Sequence, residues 1–250
     1  MPASQLKRTP LIVLAVASVA ALTSSCGSSS STSPANPVGV TWMAGFAAPG
    51  TPARYNQVGV IKVGSTTAKN VLVLEPGTSA GSAYFVPLAQ WIVSKASGWQ
   101  VWSVERRENL LEDQSELNLF KRHKATSTQL YDYYLGYLRN PTVSPHFQMV
   151  PSSAVAFAKQ WGMDVAVEDL HNVIAAAKKL GGKVVLGGHS LGGSVVTAYA
   201  TWDFGGRAGA SDLAGLVYID GGSSPTPVSA QQATQELQAL DDPNASPWLA

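Results

Sequence analysis

Lys183-Val184-Val185-Leu186-Gly187-Gly188-His189-Ser190-Leu191-Gly192 decides how this chain is read. An apolar run of strand length ends, without a break, in a serine flanked by small residues, and a helical pattern from Leu191 to Ala200 starts at once. A serine on so sharp a strand-to-helix turn sits in strained backbone. Side chains larger than hydrogen two positions before and two positions after it would collide across the turn. The helix that follows aims its N-terminus, with its free N–H groups, at the serine hydroxyl.

The same pattern occurs a second time, at Gly77-Thr78-Ser79-Ala80-Gly81. It too lies between an apolar run, Val71 to Leu74, and a helical pattern, here with apolar positions Tyr84, Phe85, Leu88, Trp91 and Ile92. In a 250-residue chain with 23 glycines the pattern alone decides nothing, so context must. Pro76 interrupts the strand before this match, whereas Lys183 to Ser190 runs from strand to turn unbroken. Ser190 is the candidate nucleophile.

On these residues the chain resembles the α/β-hydrolase superfamily from about Asn56 to Asp220. The resemblance implies an α/β-hydrolase fold: a mostly parallel sheet with helices on both faces and a helical insertion acting as a cap. It implies acyl transfer through Ser190, with the backbone N–H of Leu191 as one oxyanion donor. The loop Pro76-Gly77-Thr78 supplies the other through the Thr78 N–H, although His-Gly is usual where this chain has Pro76-Gly77. Asp220, at the end of the strand after the elbow helix, stands in one of two places where the superfamily carries its catalytic carboxylate. The alternative for Asp220 is a structural cap on the Gly221-Gly222 turn.

The base is the departure. The superfamily's histidine follows the last strand, and none of the four histidines here follows Ser190. His189 is the variable residue of the elbow, on the wrong side of the turn. His171 shares a helix face with Asp164, Glu168 and Lys178 and reads as a solvated surface residue. His123 and His146 lie in the insertion and are the remaining candidates, as bases reaching back from the cap. The resemblance also implies two further strands, a last helix and the histidine after Asp220. The expectation is that the sequence stops inside the domain and that residues 1–250 alone are not a competent enzyme.

Strands are expected at Gln57 to Val63, Val71 to Leu74, Gln100 to Val104, Lys183 to Gly187 and Leu216 to Ile219. Helices are expected at Ala80 to Ala96, Met163 to Leu180 and Leu191 to Ala200, with a helix-like stretch at Ala230 to Leu240. In Met163 to Leu180 the apolar positions Val167, Leu170, Ile174 and Ala177 step by three and four. Strands alternating with helices imply a parallel sheet covered on both faces. The insertion, about residues 108–161, holds a tyrosine cluster (Tyr131, Tyr133, Tyr134, Tyr137). It reads either as a lid shaping an acyl pocket or as a surface subdomain whose tyrosines pack on one another.

The N-terminus reads as an export signal over residues 1–25. Lys7 and Arg8 are its positive region, and Leu11 to Leu22 is an apolar core too short to span a bilayer. The signal ends directly before Cys26, the only cysteine, and so resembles a bacterial lipoprotein signal in which Cys26 is lipidated. Thr23 stands where leucine is usual, and an ordinary secretory signal is the alternative. Residues 26–37 read as a Ser/Pro-rich tether and 38–250 as the hydrolase domain. Without Lys7 and Arg8 the chain carries 15 basic against 16 acidic residues, a near-neutral body that gives no reason to propose nucleic acid. One cysteine excludes an intrachain disulfide, and no two histidines fall at ligand spacing on a helix, so neither metal nor cofactor is called for. The expected function is an exported, lipid-anchored serine hydrolase acting on small-molecule esters or lipids. An acyltransferase of the same fold, or a non-catalytic binding lipoprotein lacking its base, is the alternative.

Overall fold

The computed structural model of the chain describes residues 39–222 and 227–240. The proposed signal, Cys26 and the whole tether lie outside the described residues. Six strands form one sheet: β1 (Val40–Ala44), β2 (Gln57–Val63), β3 (Asn70–Glu75), β4 (Trp99–Glu105), β5 (Val184–His189) and β6 (Gly215–Ile219). Their order across the sheet is β1-β2-β4-β3-β5-β6. The pairs β4–β3, β3–β5 and β5–β6 are parallel, while β1–β2 and β2–β4 are antiparallel. The sheet is therefore mostly parallel and not wholly so; β1, which is not among the expected strands, completes an antiparallel edge.

Side-chain alternation along β3 divides the core in two. Val71 and Val73 face one side, where they pack with Val58, Val60, Trp102 and Val104 of neighbouring strands. That side is covered by α4 (Met163–Lys178) and α5 (Leu191–Thr201). The positions Val167, Leu170, Ile174 and Ala177 on α4 are all buried, as their three-and-four spacing requires. Leu74 faces the other side, with Val101 of β4 and with Phe85 and Ala89 of the segment around α1 (Val86–Lys95).

The α1 face is a correction to the sequence reading. Of the expected stripe Tyr84, Leu88, Trp91 and Ile92, the first three point outward, with Trp91 61% exposed, while Ile92 packs on the core beside the buried Phe85 and Ala89. A continuous helix from Ala80 presupposes helical backbone through Pro87, which lacks the N–H an interior position needs. Instead a 3-10 turn, Ser82–Phe85, comes first and α1 starts at Val86 with Pro87 in its first turn, so the buried positions shift by one residue. Among the described residues this face of the sheet is covered by α1 alone. Leu216, Val217 and Tyr218 of the edge strand β6 are exposed.

Between β4 and α4 lie short helices, α2 (Ser115–Lys121) and α3 (Ser127–Tyr134), with 3-10 turns. Thr126 caps α3 in a reciprocal box with Gln129. The tyrosines pack on one another: Tyr133 and Tyr134 meet edge to face, and both hydroxyls donate to Asp113, at 2.7 Å. The last helix described, α6, is Ala230–Leu240.

Candidate active site

Ser190 stands between the last residue of β5 and the first of α5 with φ 52° and ψ −121°. For a residue with a Cβ this conformation costs on the order of 1–3 kcal/mol and persists only when its surroundings impose it. Here they do. The Ser190 N–H donates to Ile219 O at 3.3 Å, and Gly193 N–H donates to Ser190 O at 2.9 Å. A Cβ at Gly188 would overlap the Gly192 backbone, one at Gly192 would overlap the Glu75 carbonyl, and one at Gly221 would overlap Ser190 itself. The three glycines allow β3, the elbow and the loop after β6 to close on one point, and Ser190 is left exposed at the sheet's C-terminal edge.

The two candidate oxyanion donors flank that point. Leu191 N–H is the first of α5 and, like Thr78 N–H, donates to no protein acceptor among the described residues. The loop carrying Thr78 lies against the elbow: a Cβ built on Gly77 would stand 3.1 Å from Ser190 Cβ and 2.9 Å from His189 Nδ1. Ser79, in the same loop, also has positive φ, 56°.

Beneath this loop the structure places charges that the sequence reading passed over. Glu75, at the end of β3, is buried, and Arg106 Nε lies 3.7 Å from its carboxylate. The Arg106 guanidinium also donates to the Gly77 carbonyl at 2.5 Å. Glu105 accepts from the Ser82 N–H at 2.5 Å, from the Ser82 hydroxyl, and from Asn109 Nδ2 at 2.5 Å. Arg107 and Asp169 form a buried bidentate pair with N···O distances of 2.7 and 2.5 Å, tied to the Phe46 backbone. Burial raises the Glu75 pKa to about 7 against the pull of Arg106, with Glu108 and Asp169 adding to the rise.

That value fixes a pH dependence. The folded pKa lies above the ordinary carboxyl value of 4.5, so the native state holds the proton more tightly than the unfolded chain. The associated stability is fully present below about pH 4.5 and is lost as pH rises through about 7. Glu75→Gln is expected to remove that slope, leaving the variant more stable relative to wild type at pH 8 than at pH 5, by on the order of 3 kcal/mol. Denaturant melts of both proteins at the two pH values measure it; parallel curves would show that Glu75 does not titrate in this range.

Asp220 follows β6 directly, is exposed, and has φ 47°, another left-handed residue with a side chain. Its neighbour Gly221 packs on Ser190 and Gly222 O accepts from Ser194 Oγ at 3.1 Å, so this loop is the back wall of the elbow. Among the described residues no histidine is hydrogen-bonded to Ser190. His189 stacks on Tyr84 with ring centroids 5.1 Å apart, and its buried Nδ1 has no partner. His146 stacks on Tyr137 at 4.3 Å within the insertion; His123 is exposed. The expectation for His171 needs correcting. Its ring is half-buried, stacked 4.1 Å from Phe204, with Nδ1 3.4 Å from the Tyr199 hydroxyl. Phe204 comes from the segment after α5, which a reading of the α4 face alone cannot see.

A strand-ending serine at positive φ, a helix starting on the next residue and a mostly parallel sheet with β3 and β5 adjacent are the α/β-hydrolase fold. No protein-family model matches the sequence, and no curated protein does. Solved structures do match. A candidate lipase from Sulfolobus solfataricus aligns at 16% identity over 76% of this chain and 46% of its own, with a TM-score of 0.46. A monoglyceride lipase from Saccharomyces cerevisiae aligns at 12% identity over 83% of this chain and 52% of its own, with a TM-score of 0.41. A thermophilic esterase from Thermogutta terrifontis aligns at 17% identity over 81% and 52%, with a TM-score of 0.40. The chain spans about half the length of the solved structures it matches.

Proposed function

We propose that this chain is the nucleophile-bearing part of an exported, lipid-anchored serine hydrolase that cleaves carboxylic esters through an acyl-enzyme on Ser190. The observation that carries the reading is Ser190 at φ 52° on the strand–helix turn, with two backbone N–H groups, those of Leu191 and Thr78, that have no acceptor among the described residues, in the segments that meet there. In this reading Ser190 Oγ attacks the ester carbonyl and the two N–H groups receive the oxyanion as the tetrahedral intermediate forms. The intermediate collapses with loss of the alcohol, and water then releases the acid. An acceptor alcohol in place of water makes the same site an acyltransferase. Asp220 is the proposed acid, oriented toward a histidine that the described residues do not bring to Ser190. The test is a fluorophosphonate probe on the complete protein with the labelled peptide identified: modification of Ser190 supports the reading, and a folded complete protein that takes no label refutes it. That last outcome favours the second reading, a binding module, which draws on the absence of any hydrogen bond from a histidine to Ser190 among the described residues.

The proposed address is tested separately. Cys26 as the lipid attachment site predicts incorporation of labelled fatty acid and partition into the detergent phase. Cys26→Ser is expected to lose both; a Cys26→Ser protein that still takes up the label removes the anchor from the proposal.

A further inference from the structure

Arg106 follows β4 directly, and β4 lies on one side of β3 while β5, with the elbow, lies on the other. The arginine side chain is only 15% exposed. Its Nε faces the Glu75 carboxylate from 3.7 Å, and its Nη2 donates to the Gly77 carbonyl at 2.5 Å. The same carbonyl accepts from Ala80 N–H at 3.3 Å. In a trans peptide the C=O and the following N–H point in opposite directions. A Gly77 carbonyl held toward β4 therefore sends the Thr78 N–H toward β5, the side on which Ser190 stands. Gly77 needs such a hold, because without a Cβ its own backbone preference does not select one orientation of the peptide.

We infer that Arg106 is the positioning residue of the oxyanion loop: seated on Glu75, it fixes the Gly77–Thr78 peptide so that the Thr78 N–H is presented to Ser190. The inference rests on Ser190 as nucleophile. A guanidinium suits the task because its planar fork serves two acceptors in fixed geometry, which an ammonium cannot do. Arg107 next to it does something different: its fork is fully engaged by Asp169, the Phe46 carbonyl and Asn56, away from the loop.

The experiment compares phosphonylation kinetics of the complete wild-type protein and of its Arg106→Ala and Arg106→Lys variants, with melting temperature read alongside. Loss of one oxyanion donor predicts an Arg106→Ala limiting rate about 10²-fold lower at an unchanged half-saturating probe concentration. Arg106→Lys is expected to fall between, and added guanidinium ion to restore part of the Arg106→Ala rate, which a merely loosened fold would not do. A crystal structure of Arg106→Lys supplies a readout that needs no activity: the Gly77–Thr78 peptide is expected to turn. A folded Arg106→Lys with wild-type rate and an unmoved peptide overturns the inference while Ser190 keeps its role. A complete wild-type protein never labelled at Ser190 removes the nucleophile reading and the proposed role of Arg106 with it.

Discussion

In the complete protein Ser190→Ala is expected to abolish phosphonate labelling and to lower ester turnover by on the order of 10⁴-fold or more, whereas Ser79→Ala costs less than about tenfold. The asymmetry follows from where the two serines stand. Ser190 directly follows β5 and precedes α5, whose first N–H groups would face any charge forming on a bound carbonyl. Ser79 is followed by a 3-10 turn that begins at Ser82, and Ser82 is already committed to Glu105. An alanine at 190 keeps the fold and the donors but has no oxygen to attack with. What remains is catalysis by binding and oxyanion stabilisation, which in engineered triad knockouts leaves roughly 10³–10⁴ over water. Labelling that persists in Ser190→Ala and vanishes in Ser79→Ala would exchange the roles of the two turns.

The largest effect on stability is expected at the Arg107–Asp169 pair. Arg107 is 2% exposed and joins the loop after β4 to α4 and to the segment after β1. Removing either partner strands a charge away from water, so Arg107→Ala and Asp169→Ala should each cost about 3–5 kcal/mol. For a domain of this size that is a fall in Tm on the order of 10 °C. Replacing both with apolar residues of similar volume, Arg107→Met with Asp169→Leu, should cost less than either single change. Thermal melts of the three variants measure it. Additive losses in the double variant would show that the two side chains act independently.

What was legible in the sequence was whatever depends on neighbours along the chain. The α4 stripe came through because Val167, Leu170, Ile174 and Ala177 follow the helical period without a breaker. The elbow came through because strand, turn and helix are contiguous there. The α1 stripe was legible only at Ile92, because Pro87 sets the helix start and turns Phe85 and Ala89 inward in place of Tyr84 and Leu88. The contacts beneath the Gly77–Thr78 loop were invisible for another reason. Glu75, Arg106 and Gly77 meet only because β4 pairs with β3, and strand order is a long-range property that no local pattern encodes. A hint was nonetheless present in Glu105-Arg106-Arg107, a run of charges at the end of a strand whose other residues are buried. Charges in such a place need partners.

Two pentapeptides share one spelling, and both of their central serines adopt left-handed backbone, at 56° and 52°. Their glycines answer different needs. Gly188 and Gly192 leave room for the turn that contains them and for the strand end behind it. Gly77 leaves room for His189 and Ser190, and Gly81 for Glu105 and Asn109, whose atoms would lie 3.0 Å from an added Cβ. The first pentapeptide is thus cut to the outline of the second, like a mould to its casting. A Gly-x-Ser-x-Gly string is in that sense a record of steric clearance, and it does not say on whose behalf the space was cleared. Substituting Gly77 would press on a serine far along the chain, a dependence that appears in the three-dimensional neighbourhood and nowhere in the five letters themselves.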